Sequence, residues 1–205
     1  MVIQPLVEGH GEVTAVPVLL RRLQQVAEQY GFQINRPFRR KRSELTTETS
    51  VRQSVGLALV PDCGGILIVF DSDDDAACMI GPNVQRWAQT EAGEIPCQVV
   101  AVTREYEAWF IAAVESLRGI RGVSPGARSH PAPESVRDAK GALGACMIPG
   151  ASYLPAVDQA TLTAHVNLAE VYRRCRSFRK MVKALGVLAQ GARTPLENWP
   201  PESWL

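Results

Sequence analysis

Acidic residues follow the most apolar segments of this chain, at positions suited to metal-dependent chemistry. Glu8 comes directly after the apolar residues 2–7, and a run of acids that begins at Asp71 ends the apolar residues 66–70. Because parallel strands end at the same edge of a sheet, we expect Glu8, Asp71 and Asp73 to converge there. Carboxylates brought this close repel one another, and a divalent cation removes that repulsion. Oxygen ligands favour Mg²⁺ or Mn²⁺ over zinc. For the Asp-x-Asp pattern alone, the competing interpretation is a solvated acidic turn.

The apolar pattern around these acids predicts an α/β fold. Residues 66–70 are apolar at every position, as expected for a central parallel strand covered on both faces. Segments with helical spacing alternate with the apolar runs, and this order predicts a mostly parallel, Rossmann-like sheet flanked by helices. The predicted strands are residues 2–7, 32–38, 66–70 and 98–102, and the predicted helices are residues 12–30, 49–60, 77–92 and 106–117.

The second half of the chain predicts a C-terminal helical extension packed on this core. Residues 119–133 are rich in glycine and proline, which is typical of an exposed loop. Helical spacing follows, with predicted helices in residues 134–146, 159–166 and 168–189. We expect Trp199 and Trp204 to pack on the body of the protein or on a partner. The predicted organisation is a core over residues 1–118, a loop over 119–133, a helical extension over 134–190 and a tail over 191–205.

Composition narrows the classes of function. The 205-residue chain has a net charge of +1, so a preference for nucleic acid must come from local patches. Five cysteines without a CxxC pair indicate reduced thiols in a cytosol rather than a disulfide framework or a zinc site. The N-terminal apolar run is too short for a signal peptide or a membrane span. We therefore expect a cytoplasmic protein that does not use a membrane.

Two segments resemble the motifs of TOPRIM domains. Residues 6–12 are similar to their strand-glutamate-glycine motif, and residues 68–73 are similar to their Asp-x-Asp motif. The chain most resembles a bacterial family, domain of unknown function family 4276, whose members carry R-E-x-E-A-W-F where this chain has residues 104–110. Residues 138–140, 157–159 and 176–178 are similar to later motifs of that family, so the resemblance spans residues 2–190.

The resemblance implies a role for each acid. Glu8 would act as general base or general acid toward a phosphodiester oxygen, while Asp71 and Asp73 would hold Mg²⁺ or Mn²⁺. Glu12 and Glu107 would add ligands to the metal. A glutamate in the first turn of a helix is also favoured by the helix dipole, and this is the competing interpretation of Glu12.

Cationic residues complete the implied site. Lys140 would stabilise the charge of the transition state, and a lysine on a helix surface is its competing interpretation. Two basic clusters can neutralise the phosphates of a nucleic acid, although basic helix faces are often only solvated. The residues predicted to bind nucleic acid are Arg39, Arg40, Lys41 and Arg42 in the first cluster and Arg176 in the second.

The resemblance also implies partners. TOPRIM-like proteins of this kind often work beside AAA or ABC-type ATPases in defence against phage, and the chain itself has no Walker motif. It would therefore be a nuclease that works with an ATPase encoded nearby, or alternatively a catalytically silent partner subunit of that ATPase. Residues 70–73 are also similar to the nucleophile motif of haloacid-dehalogenase-like phosphatases, but those enzymes carry it after their first strand.

Overall fold

The strands of the chain form one parallel sheet. A computed structural model describes residues 1–190, 196 and 198–205. Within them the strands are β1 (Val2–Val7), β2 (Gln33–Ile34), β3 (Phe38–Arg39), β4 (Cys63–Asp71) and β5 (Cys97–Val102). They lie in the order β2-β1-β4-β5, with β3 also paired to β1, and each of these pairs is parallel. The predicted α/β fold with a mostly parallel sheet flanked by helices is confirmed.

Helices connect the strands and form most of the second half of the chain. Of the helices that the structure describes, none is long and apolar enough to cross a membrane. They are α1 (Glu12–Val26), α2 (Arg42–Thr46), α3 (Glu48–Ala58), α4 (Ala77–Ala92), α5 (Glu107–Ala112), α6 (Ala139–Gly144), α7 (Pro155–His165), α8 (Leu168–Arg174) and α9 (Arg176–Ala189), with short 3-10 turns at Val114–Leu117, Pro133–Ser135 and Glu202–Trp204.

Each face of the sheet is covered by a separate layer of helices. Leu67 and Val69 of β4 pack in one apolar cluster with α1, α5 and α9, whereas Ile66, Ile68 and Phe70 pack in another with α3 and α4. Successive side chains of a strand point to opposite faces, so a strand buried on both faces needs apolar residues throughout. This explains the uninterrupted apolar run in β4.

The strand predicted over residues 32–38 is divided into β2 and β3. Pro37, between the two, lacks the N–H that a continuous ladder requires. The side chain of Gln4 on β1 occupies the gap, where it donates to the carbonyl of Arg36 at 3.0 Å and accepts from Asn35 Nδ2 at 2.9 Å. A side-chain amide thus replaces the missing backbone pairing.

The helix predicted over residues 134–146 is also shorter than expected. A 3-10 turn at Pro133–Ser135 is followed by an irregular segment, and α6 begins only after Asp138, whose carboxylate accepts from the N–H of Gly141 at 2.7 Å. The carboxylate of Glu134 is used elsewhere, because it accepts from two backbone N–H groups at the start of α9. Capping, rather than apolar spacing, therefore determines where α6 begins.

The C-terminal helices pack directly on the α/β core. The rings of Trp109 in α5 and Phe178 in α9 meet edge to face at 5.2 Å, and Trp109 Nε1 donates to Ser177 Oγ at 2.9 Å. Trp204 is buried, and Trp199 Nε1 donates to a backbone carbonyl of α9. Most of the predicted tail between α9 and Trp199 lies outside the described residues. The predicted boundaries at residues 118, 133 and 190 stay predictions.

The outer edge of β5 is bonded by side chains of α4. Gln85 accepts from the N–H of Val99 at 2.9 Å and donates to the carbonyl of Cys97 at 2.6 Å. Gln89 accepts from the N–H of Cys97 at 2.9 Å and donates to the carbonyl of Ile95 at 3.0 Å. Two glutamine side chains therefore take the place of a sixth strand along the first part of this edge.

The contact between α5 and α9 generates a prediction about stability. Phe178→Ala should lower the free energy of unfolding by about 3–5 kcal/mol, because it leaves a cavity beside Trp109. Met79→Ala is the matched control, since Met79 is 69% exposed and its loss should cost no more than about 0.5 kcal/mol. Urea denaturation followed by tryptophan fluorescence measures both. An unchanged midpoint in Phe178→Ala would mean that α9 does not belong to the cooperative core.

Candidate functional site

The acids that follow β1, β4 and β5 meet at the carboxyl edge of the sheet. Glu8 comes after β1, and its Oε2 accepts from the backbone N–H of Asp71, the last residue of β4, at 3.3 Å. Asp71 is almost completely buried, and its Oδ1 accepts from the backbone N–H of Tyr106, beyond the end of β5, at 2.9 Å. Each carboxylate is thus held by the backbone of the next strand end, which the parallel topology brings alongside.

Glu12 turns back from the start of α1 toward the same edge. Its Oε2 accepts from the backbone N–H groups of Gly9 at 2.9 Å and Glu8 at 3.1 Å. The space for this side chain depends on glycine, because a Cβ on Gly9 would lie 2.9 Å from Glu12 Oε1. A Cβ on Gly11 would lie 2.6 Å from the carbonyl oxygen of Pro155. The two glycines therefore admit both the carboxylate and the first residue of α7.

Glu107, in the first turn of α5, is the most deeply buried acid of the cluster, with no exposed surface. Its Oε1 accepts from Tyr153 Oη at 2.7 Å and from Gln159 Nε2 at 3.4 Å. Its Oε2 is buried and has no hydrogen-bond partner among the described residues. Such a group is costly to bury, so it marks a place where an additional positive charge or donor would be stabilising.

Lys140 of α6 supplies the ammonium group of the cluster. Its Nζ lies 3.1 Å from Glu105 Oε1, 3.7 Å from Asp71 Oδ2 and 3.9 Å from Glu107 Oε2. Its backbone N–H also donates to Glu105 Oε2 at 2.9 Å, which fixes the start of α6 against the end of β5. The lysine therefore bridges carboxylates, although its side chain stays 43% exposed.

Burial and mutual repulsion raise the pKa values of the buried acids. Burial raises the pKa of Asp71 well above its ordinary value, and the charges of Glu12 and Glu107 add to the effect. Burial likewise raises the pKa of Glu107, and it raises the pKa of Glu12 to about 7. Burial alone would lower the pKa of Lys140, but the neighbouring carboxylates outweigh it and raise that pKa overall. The cluster thus holds more negative charge than its ammonium group compensates.

Glu8 lies at the solvent side of the cluster, together with Asp73. Half-burial raises the pKa of Glu8 above its ordinary value, the guanidinium of Arg42 opposes this, and the charge of Asp73 supports it. Asp73 adopts a left-handed backbone conformation with φ of 48°, and its Oδ2 lies 3.5 Å from Arg42 Nη1. The Asp-x-Asp pattern therefore places one carboxylate inside the cluster and the other at its mouth.

Arg42 organises the acidic loop after β4. Its guanidinium donates to the carbonyl of Asp71, to the carbonyl of Ser72 at 3.1 Å and to the carboxylate of Asp75. Arg104 donates to Asp74 Oδ1 at 2.7 Å on the other side of the loop. The acids of the loop after Asp71 are therefore paired with arginines, whereas the buried acids Glu12 and Glu107 pair with no arginine that the structure describes.

The chemistry of this cluster fits a hard divalent cation, since its donors are carboxylate oxygens and one of them, Glu107 Oε2, has no hydrogen-bond partner among the described residues. Among the residues that the structure describes, no three acidic, histidine or cysteine side chains surround one point as the ligands of a metal ion. The ammonium of Lys140 lies between Asp71 and Glu107 instead. A cation that used both carboxylates would have to displace it.

The residues predicted to bind nucleic acid lie in two separate parts of the molecule. Arg39 and Arg40 line a groove beside Glu8, and Lys41 is exposed at the start of α2. Arg176 lies at the start of α9 and lines a cavity between α4, β5 and α9, at the opposite side of the sheet from β3. Their role in binding nucleic acid stays a prediction.

Three residues of the site were not among the predicted ones. Glu105 holds Lys140, and Tyr153 and Gln159 hold Glu107. Glu105 and Gln159 lie within segments that resemble motifs of the family, and this resemblance could have identified them as candidate site residues. Tyr153 lies between predicted elements, and nothing in the spacing marks it.

The fold and the cluster define an α/β protein with a buried acidic site at the carboxyl edge of a parallel sheet. The chain belongs to the family described as Domain of unknown function (DUF4276), whose sequence model matches residues 7–186. Every residue of the cluster lies within that range. No curated protein and no solved structure matches the chain. The predicted family is confirmed, while the likeness to TOPRIM domains stays a prediction.

The buried position of Glu12 generates a prediction about pH dependence. Its pKa is 4.5 ordinarily and about 7 in the folded chain, so the folded state binds the proton more tightly. The stability that this provides is complete below pH 4.5 and is lost as the pH rises through 7. Glu12→Gln, which keeps an acceptor for the two N–H groups, should make the decline of stability across this interval shallower.

Thermal unfolding in EDTA at a series of pH values measures this effect. Glu94→Gln is the control, because Glu94 is exposed and makes none of the contacts described above. It should follow the wild-type profile. If Glu12→Gln also runs parallel to wild type, Glu12 does not hold its proton in the folded chain.

Proposed function

We propose that this protein is a Mg²⁺- or Mn²⁺-dependent nuclease that hydrolyses phosphodiester bonds at the carboxyl edge of its sheet. The observation that carries the proposal is the buried Oε2 of Glu107, which has no hydrogen-bond partner among the described residues and only a 3.9 Å ion pair with Lys140. The charges of Glu107 and Glu12 both act on Asp71. Carboxylates that are held close together repel one another, which raises their pKa values, and a bound cation relieves this repulsion. Phosphoryl transfer is a common reaction at such metal sites. The TOPRIM resemblance of the Glu8 and Asp71 segments supports the same conclusion.

The residues that would hold the metal are Asp71 and Glu107, with Glu12 and Asp73 as further oxygen donors. All four are hard ligands, as Mg²⁺ and Mn²⁺ require. When bound, the cation would neutralise charge on the phosphoryl group and lower the pKa of a bound water. The backbone bonds to Asp71 and Glu12 hold two of these carboxylates in place.

Glu8 has the properties of the general base. It lies at the mouth of the cluster, half in contact with solvent, where a water and a phosphodiester have access. Its raised pKa brings it closer to the pH of the cell, and a base is most effective when its pKa is near the working pH. In this proposal Glu8 takes the proton of the attacking water, and Lys140 donates to the phosphoryl oxygen on which charge develops.

The proposal also covers the binding of the substrate, a partner protein and the cellular location. Arg39, Arg40 and Lys41 would bind the phosphates of the substrate near the site, and Arg176 would do so at the other side of the sheet. An ATPase of the AAA or ABC type, encoded nearby, would be the partner in phage defence or DNA processing. We propose the cytoplasm as the location, since all five cysteines are free thiols.

One observation favours a second candidate function, a catalytically silent subunit of the same ATPase. Lys140 already lies among Asp71, Glu105 and Glu107, so its ammonium compensates part of the charge without any metal. In a silent subunit this arrangement would serve only to stabilise the fold. The two candidates differ in whether a divalent cation binds at Asp71.

Metal binding is expected to stabilise the wild-type protein. A cation present at 100 times its Kd adds about 2.7 kcal/mol, which corresponds to roughly 5–10 °C in Tm for a chain of this size. Asp71→Asn should abolish most of this gain while keeping the acceptor for Tyr106. Asp62→Asn, an exposed position at the other end of β4, is the control and should respond as wild type does. An equal response in Asp71→Asn would place the cation elsewhere.

Catalysis is tested at Glu8. Glu8→Gln retains the size of the side chain but cannot accept the proton of water, so cleavage should fall by a factor on the order of 10² to 10⁴. The measurement is hydrolysis of labelled DNA and RNA with Mg²⁺ or Mn²⁺, with and without the neighbouring ATPase. Glu94→Gln should cleave as wild type does. Wild type that cleaves no substrate and gains no stability from metal would favour the silent subunit.

A further inference from the structure

A groove beside Glu8 has features that the proposed hydrolysis does not explain. It encloses about 870 Å³ and is lined by residues of β3, the turn after β1, α1 and α3. Its polar lining includes His10, Arg36, Arg39 and Arg40, and it contains no acidic residue. Arg39 Nη1 donates to the backbone carbonyl of Glu8 at 3.4 Å, so the groove adjoins the backbone of the proposed base.

The charge of this groove is largely uncompensated. Arg40 lies 3.6 Å from Glu44, but Arg36 and Arg39 form no ion pair with any residue that the structure describes. By contrast, Arg42 and Arg104 are paired with acids of the loop after β4. Two guanidinium groups without a carboxylate partner, both lining one concave surface, are suited to an anionic chain such as a phosphodiester backbone.

An exposed aromatic ring lies among these cations. Phe38 is 37% exposed, whereas Phe32, Phe70, Phe110 and Phe178 are at most 4% exposed. It does not lie on a loose loop, since it belongs to β3 and pairs with Leu6 of β1, and Pro37 precedes it. The backbone of Phe38 is therefore held in the sheet, and its partly exposed side chain lines the same groove as Arg39.

We propose that this groove binds single-stranded nucleic acid, with a base stacked on Phe38 and phosphates on Arg36 and Arg39. Aromatic rings alternating with cations are how proteins bind unpaired strands, because every unstacked base offers a flat face. In a duplex the flat faces of the bases are covered by neighbouring bases, so stacking on Phe38 would not contribute to binding. This inference rests on the proposed nuclease function, for which it names the substrate class and the path to Glu8.

Fluorescence anisotropy tests the inference without any cleavage. The probe is a fluorescein-labelled 12-nucleotide oligothymidylate in EDTA, compared with a 12-base-pair duplex. The single strand should bind more tightly than the duplex. Phe38→Ala should weaken its binding roughly 5- to 150-fold, the usual contribution of one stacked base, and Phe38→Trp should restore it. Tyr30→Ala is the control, because Tyr30 is 69% exposed outside the groove.

The cations are tested through salt dependence. Arg36→Ala with Arg39→Ala should reduce the slope of log affinity against log salt by about 1.4, since each phosphate contact to a single strand contributes about 0.7. The exposed pair Arg21→Ala and Arg86→Ala, outside the groove, should leave the slope unchanged. Thermal unfolding of each variant verifies that it is folded.

Two results would overturn the inference. One is binding of the single strand that Phe38→Ala does not change, and the other is binding of the duplex as tight as that of the single strand. Both are distinct from failure of the nuclease proposal. Tight, Phe38-dependent binding by a protein that never cleaves would support the groove and count against the nuclease, whereas cleavage without dependence on Phe38 would do the reverse.

Discussion

Negative charge buried at the carboxyl edge of the sheet constrains the rest of this molecule. Asp71, Glu12 and Glu107 are held where water cannot screen them, so their pKa values rise and each needs a nearby donor. The backbone that follows β1 and β5 supplies some of these donors, and the second half of the chain supplies the others through Lys140 and Tyr153. The helical extension thus completes the site and does not only cover one face of the sheet.

The part of the site that follows from strand order could be predicted from the sequence. Apolar runs identify β1, β4 and β5, and the parallel connection places Glu8 beside Asp71 without knowledge of any side-chain contact. The glycine spacing after β1 also had a physical basis, since Gly9 and Gly11 are the positions where a Cβ would collide. The apolar periodicity and the glycine positions are local properties of the sequence, so the strand ends and the turn after β1 could be predicted from them.

The remainder depends on contacts between distant segments, which spacing does not encode. Lys140 is adjacent to Asp71 only because the N–H of its own backbone is held by Glu105. Arg42 belongs to a basic run in the sequence, yet its guanidinium holds the loop after Asp71. The helix expected over residues 134–146 is interrupted because Glu134 caps α9 instead. In each case the side chain could bond within its own segment or to a distant one, and only the tertiary structure determines which partner it has.

The glutamines of α4 have a consequence for how the protein behaves in a crowded solution. An uncovered edge strand invites pairing with another chain, and many proteins prevent this with charged lysines, whose repulsion weakens as salt increases. Here Gln85 and Gln89 occupy the N–H and carbonyl groups of Cys97 with neutral amides. Protection against edge-to-edge association at this end of β5 is therefore independent of ionic strength and pH, and it lasts as long as α4 stays folded.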